Sequence, residues 1–150
     1  MMHDRALEEK IRTLLAGQKL ASLSTSQNDQ PYASLVAFAE TDDLKTLLFA
    51  TTRSTRKFAN LTANGRVALL VDNRSSKETV FYEAMAATAL GTSREVRDSE
   101  RNACLNIYLA KHPQLKDFVA SPTCALLEVT VDRYYAVSRF QNVQELHVTT

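Results

Sequence analysis

The sequence predicts an α+β fold in which about six antiparallel strands form a small barrel with flanking helices. The predicted elements follow the order α, β-β-β, α, β-β, α, β. Most of the strands are separated by short turn segments, which favours antiparallel pairing over βαβ crossovers. The chain has only three glycines and contains neither GxGxxG nor GxxxxGK[ST]. A Rossmann or P-loop nucleotide site therefore has no local support.

The first half of the chain predicts one helix and three strands. Residues 4–16 carry apolar side chains at helical spacing, and Gly17 follows as a stop signal. Residues 19–27 and 31–40 are rich in strand-forming side chains and flank the turn segment QNDQP, which predicts a hairpin. After a second turn at TDD, residues 44–51 predict a third strand.

The second half predicts two further strands, three helical segments and a final long strand. In chain order these are a helix at 55–63, a strand at 66–73, a β-like run within 78–96, helices at 99–112 and 114–120, and a long strand or bent pair of strands at 124–140. The apolar runs RVALLV and CALLEV predict strands that are buried on both faces.

Composition sets limits on the class of protein. A chain of 150 residues with 45% apolar and 23% charged residues predicts a single globular domain over residues 1–150. The net charge of +1 argues against a broad nucleic-acid footprint, and no apolar run is long enough to span a membrane. The N-terminus lacks the apolar core of a signal peptide, and Cys104 and Cys124 are isolated. We therefore expect a cytoplasmic protein with reduced thiols and no metal site.

The segment FATTRSTRKFANL, residues 49–61, concentrates cations and hydroxyls where a strand gives way to a helix. Ser54 is the predicted N-cap, which places Arg56 and Lys57 in the first turn. A capping box would have Glu or Gln where Lys57 stands. Cations at this end of a helix oppose its dipole, by a few tenths of a kcal/mol to about 1 kcal/mol each.

A bound anion would offset this repulsion. Backbone N–H groups at the start of the helix, hydroxyls of Ser54 and of Thr51 or Thr55, and charge-assisted bonds from Arg56 and Lys57 would surround it. A phosphomonoester suits such a set of donors. The alternative is a solvated helix start whose cations face water.

The phosphate is expected to belong to a larger ligand. The strand LKTLLFATT leads into the anion site, and the strand YASLVAF can lie beside it with its main-chain groups and Ser34. A planar heteroaromatic ring could rest along such a strand, with its polar edge against main-chain groups and its faces against apolar side chains.

These segments together resemble the FMN-binding split β-barrel family related to pyridoxamine 5′-phosphate oxidase. The resemblance lies in Phe49-Ala50-Thr51, in Thr55-Arg56-Lys57 and in the strand start NGRVAL at residues 64–69, and it covers roughly residues 19–95. It implies a split β-barrel that forms a homodimer, with two flavins at the interface and each flavin touched by both subunits.

The resemblance also implies which residues bind FMN. Arg56 and Lys57 would bind the phosphate. The other implied contacts are Thr51 and Ala50 at the ribityl chain and ring edge, and Ser34, Leu35 and Val36 along the isoalloxazine through the strand backbone. A half-closed barrel with exposed strand edges independently favours pairing with a second copy.

The implied activity is that of an FMN-dependent oxidoreductase acting on an unidentified small substrate with an unidentified electron donor. The run SLVAFA at residues 34–39 has no cation where pyridoxamine phosphate oxidases carry Arg-x-x-x-x-Lys, so their own substrate is not expected. No catalytic residue can be assigned from the sequence. Two alternatives stay open: an FMN-binding or sensing module without turnover, and a haem-handling protein, for which His147 is the candidate ligand.

Overall fold

The computed structural model describes residues 4–74, 84–138 and 142–148. Within these ranges the helices are α1 (Arg5–Gly17), α2 (Arg56–Ala63), α3 (Arg101–Lys111) and α4 (Lys116–Ala120). The strands in the same ranges are β1 (Leu20–Gln27), β2 (Gln30–Glu40), β3 (Thr46–Thr52), β4 (Arg66–Asp72), β5 (Met85–Glu95), β6 (Cys124–Ser138) and β7 (Asn142–His147).

Six of these strands close into an antiparallel barrel. The strand order is β3-β2-β1-β4-β5-β6, and β6 pairs back onto β3. This confirms the predicted α+β split barrel with six strands and flanking helices, whereas the expectation of a half-closed barrel is wrong because β6 pairs along the whole of β3. Residues 78–83 and 139–140 of the predicted strands lie outside the described part of the chain.

The strand β7 was not predicted from the sequence. It pairs with β6 outside the closed barrel, and Leu146 is its one buried residue. A strand with so little burial lacks a regular apolar alternation, so its sequence resembles a loop.

The interior of the barrel is closed at one end by α1. The apolar residues of this helix at the predicted helical spacing are buried: Leu7, Ile11, Leu14 and Leu15. Asp4 caps the helix, and its side chain accepts a hydrogen bond from the N–H of Leu7 at 3.0 Å. The apolar stripe therefore continues the barrel core, with Phe38, Phe49 and Leu69.

A second apolar layer lies between the barrel wall and the helices α3 and α4. It contains Leu48 and Leu126 from the wall and Tyr108 and Val119 from the helices. The run CALLEV at the start of β6 is buried on both faces because these helices cover its outer side. The predicted burial of CALLEV on both faces is therefore confirmed, whereas that of RVALLV is wrong within one chain, because Leu70 on its outer face is 41% exposed.

The two cysteines are free thiols at this second layer. Burial raises the pKa of both Cys104 and Cys124, which favours the unreactive thiol form. Among the described residues, no helix combines the length and apolar character needed to cross a membrane.

Candidate functional site

The helix α2 is capped by Thr55 and not by the predicted Ser54. The Thr55 hydroxyl accepts a hydrogen bond from the N–H of Phe58 at 3.2 Å. The N–H of Thr55 reaches the carbonyl of Thr52 at 3.4 Å, so Ser54 lies in a turn and helical geometry begins one residue later. The prediction of Ser54 as N-cap is therefore wrong, and Phe58 occupies the third helical position instead of Lys57.

Three cations lie at the start of α2, and one of them is already paired. The guanidinium of Arg53 donates two hydrogen bonds of 2.7 Å to Glu95 and lies 5.6 Å from the centre of the Phe58 ring. These bonds lower the pKa of Glu95. In the described part of the chain, neither Arg56 nor Lys57 forms an ion pair, and the first turn of α2 holds no acidic residue. Their repulsion from the helix dipole is thus left uncompensated.

Main-chain donors accompany these two cations. The first N–H groups of a helix lack partners within the helix. The Thr55 hydroxyl satisfies that of Phe58, whereas those of Arg56 and Lys57 have no partner among the described residues. Two cationic side chains and two N–H groups therefore meet at one helix start, a set of donors that suits an oxyanion.

The hydroxyls at the junction of β3 and α2 differ in whether they are free to donate a hydrogen bond to a ligand. Thr51 is buried, and its hydroxyl lies 3.0 Å from that of Thr55. The Thr55 hydroxyl donates to the Thr52 carbonyl at 3.0 Å, so Thr51 is the donor of this pair. Both side chains thereby hold the junction of β3 and α2 together. Ser54 is exposed and lies 3.5 Å from the Thr52 hydroxyl, so its hydroxyl is the most available of the three predicted donors.

The strands β2 and β3 separate beside the start of α2. They pair only over residues 38–40 and 47–49. Beyond that point β2 continues along β1, and β3 continues along β6. We call the region between residues 33–37 of β2 and residues 50–52 of β3 the strand gap.

Leu35 is the predicted β2 residue whose main-chain groups face the strand gap. The N–H of Phe38 donates to the carbonyl of Lys19 on the β1 side at 3.3 Å. Because main-chain groups alternate between the two edges of a strand, those of Leu35 point the other way. The side chains of Ser34 and Val36 face the barrel interior. The Ser34 hydroxyl is enclosed and has no hydrogen-bond partner in the described part of the chain.

A cavity of ≈ 530 Å³ joins the start of α2 to the beginning of β2. Its lining residues are Gln27, Asn28, Gln30, Tyr32, Arg56 and Asn60. The structure thus brings Arg56 to the β1–β2 end of the barrel, whereas Ala50 and Thr51 do not line this cavity.

Sequence reasoning missed Asn60 and Tyr32 as neighbours of Arg56. A signal for Asn60 was present, because it lies one helical turn after Arg56 and shares its helix face. Its side chain donates to the Thr25 hydroxyl at 3.0 Å and ties α2 to β1. Tyr32 lines the cavity because of the register in which β2 pairs with β1, and no local sequence pattern predicts that register.

The chain is similar to one known protein family. The model of one protein family, described as pyridoxamine 5′-phosphate oxidase, matches residues 7–138. No protein among those with curated functions matches the chain.

Solved structures share the fold at low sequence identity. A haem-binding protein from Mycobacterium smegmatis superposes with a TM-score of 0.85 at 16% identity, covering 99% of this chain and 60% of that one. An FAD-binding protein from Mesorhizobium loti gives 0.70 at 14% identity, with coverages of 85% and 91%. General Stress Protein 26 from Bacillus anthracis gives 0.69 at 23% identity, with coverages of 94% and 98%. The chain thus spans less than two thirds of the first of these proteins, and these likenesses show the fold alone.

Proposed function

Because the chain belongs to the pyridoxamine 5′-phosphate oxidase family, we propose that it is an FMN-binding flavoprotein that acts as an oxidoreductase on a small molecule. One observation carries the proposal. Arg56 and Lys57 stand with two free main-chain N–H groups at the start of α2, and none of these donors has a partner among the described residues.

The donors fit the parts of FMN. Arg56, Lys57 and the exposed hydroxyl of Ser54 would hold the phosphate, with the helix dipole in support. The main-chain N–H and carbonyl of Leu35 would meet the polar edge of the ring at the strand gap, and Ala50 would border it from β3. Bound FMN would supply hydride and electron transfer, while the protein supplies binding and orientation.

Of the two described histidines, His147 is the one that could bind a haem iron. The Nε2 atom of His112 lies 2.6 Å from the carbonyl of Phe38, and the residue is buried. The Nε2 atom of His147 lies 2.8 Å from a carboxylate oxygen of Glu145. His112 is enclosed by the protein, which keeps its ring away from a haem, whereas His147 is 42% exposed and its Nδ1 atom would still be available to iron.

Titration of the purified protein with FMN, FAD and haem tests the cofactor. We expect one FMN per chain and a shifted flavin spectrum, with weaker binding of FAD, because the chain shows a single cation cluster. Mass spectrometry of ligand released by denaturation identifies any cofactor carried through purification. Preferential binding of FAD, a haem spectrum or no flavin binding would overturn the proposal. Anaerobic mixing of the FMN complex with NADH or NADPH then separates an oxidoreductase from a binding module, since turnover requires loss of the oxidised flavin absorbance.

We also propose that two copies form a dimer across the outer face of β1, β2 and β4. Leu20, Leu35 and Leu70 are 54%, 68% and 41% exposed on this face. Strand register places Ser22 between Leu35 and Leu70, so the exposed leucines form one surface. Leu35 belongs both to this surface and to the edge of the strand gap, so a second copy seated here would cover the flavin from outside.

Replacement of Leu70 by arginine should produce a monomer of about 17 kDa, since a charge buried in an apolar interface cannot be solvated. Light scattering at micromolar concentration measures the mass, and a monomer has 16.7 kDa. Val143→Arg is the matched control, because Val143 is 59% exposed on β7, away from this face. A wild-type monomer, or a Leu70→Arg dimer, would contradict the proposal.

A further inference from the structure

The helix α3 places one side chain at the point where β2 and β3 part. The last paired residues are Phe38 and Phe49, so a continued register would set Ala37 opposite Ala50. Main-chain groups of Ala37 face β3, because those of Phe38 face β1. In an uninterrupted ladder, the N–H of Ala50 would donate directly to the carbonyl of Ala37.

The hydroxyl of Tyr108 takes the place of β3 as the partner of the Ala37 carbonyl. It donates to the carbonyl of Ala37 at 3.0 Å. Burial raises the pKa of Tyr108 to about 12. The phenol therefore keeps its proton at neutral pH, and the carbonyl of Ala37 on the β3 side of the strand is bound by Tyr108 and not by β3.

The position of Tyr108 is fixed by its burial and by His112, the residue that follows α3. The residue is 1% exposed. One helical turn later, the His112 ring lies 5.1 Å from the Tyr108 ring, and its Nε2 atom lies 2.6 Å from the carbonyl of Phe38. Because a carbonyl only accepts, Nε2 carries the proton. Tyr108 on α3 and His112, which caps the end of this helix, thus hold two successive carbonyls of β2, one on each edge of the strand.

We propose that Tyr108 is a positioning residue for the flavin site: its hydroxyl binds the Ala37 carbonyl that would otherwise pair with the N–H of Ala50, holds β2 and β3 apart, and keeps the main-chain groups of Leu35 open to the ligand. This inference rests on the proposed binding of FMN at the strand gap. The helix α3 supplies none of the predicted FMN contacts, and this inference gives it control over the width of the strand gap.

The substitution Tyr108→Phe tests the inference. Without the hydroxyl, the carbonyl of Ala37 and the N–H of Ala50 can pair directly, which would extend the ladder by one step and narrow the gap. We expect the Kd for FMN to rise at least about tenfold, the spectrum of bound FMN to shift, and the amide signal of Ala50 in the FMN-free protein to move.

Tyr134→Phe is the matched control. Tyr134 is buried, and its hydroxyl donates to the carbonyl of Leu44 at 2.8 Å, away from the strand gap. This variant loses a comparable buried hydrogen bond, so a general loss of stability would affect both variants. We expect it to keep the wild-type Kd and the wild-type Ala50 signal.

Incorporation of non-natural side chains separates the hydroxyl from the ring. With 4-aminophenylalanine at position 108 the donor is kept, and we expect affinity close to that of the wild type. With 4-fluorophenylalanine the volume is kept without a donor, so a raised Kd is expected, and this variant replaces Tyr108→Phe should the latter not fold.

The outcomes distinguish this inference from the proposed function. A wild-type protein that fails to bind FMN overturns both. A wild type that binds FMN, together with a Tyr108→Phe variant of unchanged Kd and unchanged Ala50 signal, overturns the role of Tyr108 alone. Equal losses of affinity in Tyr108→Phe and Tyr134→Phe would likewise overturn it, because they would show a general structural effect.

Discussion

Replacing Arg56 and Lys57 together with alanine should weaken FMN binding by several kcal/mol, because each charge-assisted hydrogen bond to phosphate is worth about 1.5–3 kcal/mol. Neither side chain has an ionic partner among the described residues, so their removal breaks no ion pair there. The stability of the FMN-free protein should stay level or rise by a few tenths of a kcal/mol, since two cations leave the positive end of a helix dipole. Calorimetric titration with FMN and urea unfolding measure the two quantities.

Arg5→Ala provides the matched control for the dipole effect. Arg5 is the first residue of α1, is exposed, and follows the cap residue Asp4. Because Asp4 and Glu8 offset the charge of Arg5 in this turn, its removal should change stability by at most a few tenths of a kcal/mol and leave FMN affinity unchanged. If the Arg56–Lys57 double variant kept its affinity and lost stability, these cations would be structural, and the phosphate site would have to lie elsewhere.

Glu40→Ala should lower the free energy of unfolding by about 3 kcal/mol, because it leaves a largely buried ammonium group without its counter-ion. The Nζ atom of Lys111 lies 2.7 Å from Glu40, and the two side chains are 11% and 14% exposed. It also donates to the carbonyl of Leu15 at 2.8 Å and lies 3.9 Å from the centre of the Phe38 ring. The pair therefore joins α3 to β2 and α1. Urea unfolding at neutral pH measures the loss.

The pH dependence gives this prediction a second signature. Burial lowers the pKa of Lys111, and Glu40 acts in the opposite direction, so the pKa should fall further without Glu40. The unfolded state then binds more protons than the folded state below the ordinary lysine pKa, and stability rises with pH in that range. The deficit of Glu40→Ala should thus shrink between pH 7 and roughly pH 10.

Glu145→Ala is the control for a surface pair. Glu145 lies 3.3 Å from Arg133 and 2.8 Å from His147, and all three side chains are well exposed. The loss of these surface contacts should cost at most about 1 kcal/mol. Equal effects of Glu40→Ala and Glu145→Ala would show that water screens the Lys111–Glu40 pair as well. The prediction that this pair stabilises the contact of α3 with β2 and α1 would then be wrong.

Local patterns in the sequence determined the elements of the barrel. Helical spacing of apolar residues located α1, and the turn segments between strand-forming runs identified the antiparallel hairpins, because both signals depend on neighbours within a few residues. The cations Arg56 and Lys57 were also identified locally, since a cation in the first turn conflicts with the dipole of its own helix.

The tertiary structure decided which of these groups are available and what surrounds them. Ser54 and Thr55 are both good cap residues, and only the closure of the preceding turn selected Thr55. Arg53 is paired with Glu95, which is 42 residues away in the chain. Tyr108 reaches Ala37 across 71 residues. Contacts over such separations depend on strand register and helix docking, which the whole barrel sets and no local pattern of residues encodes.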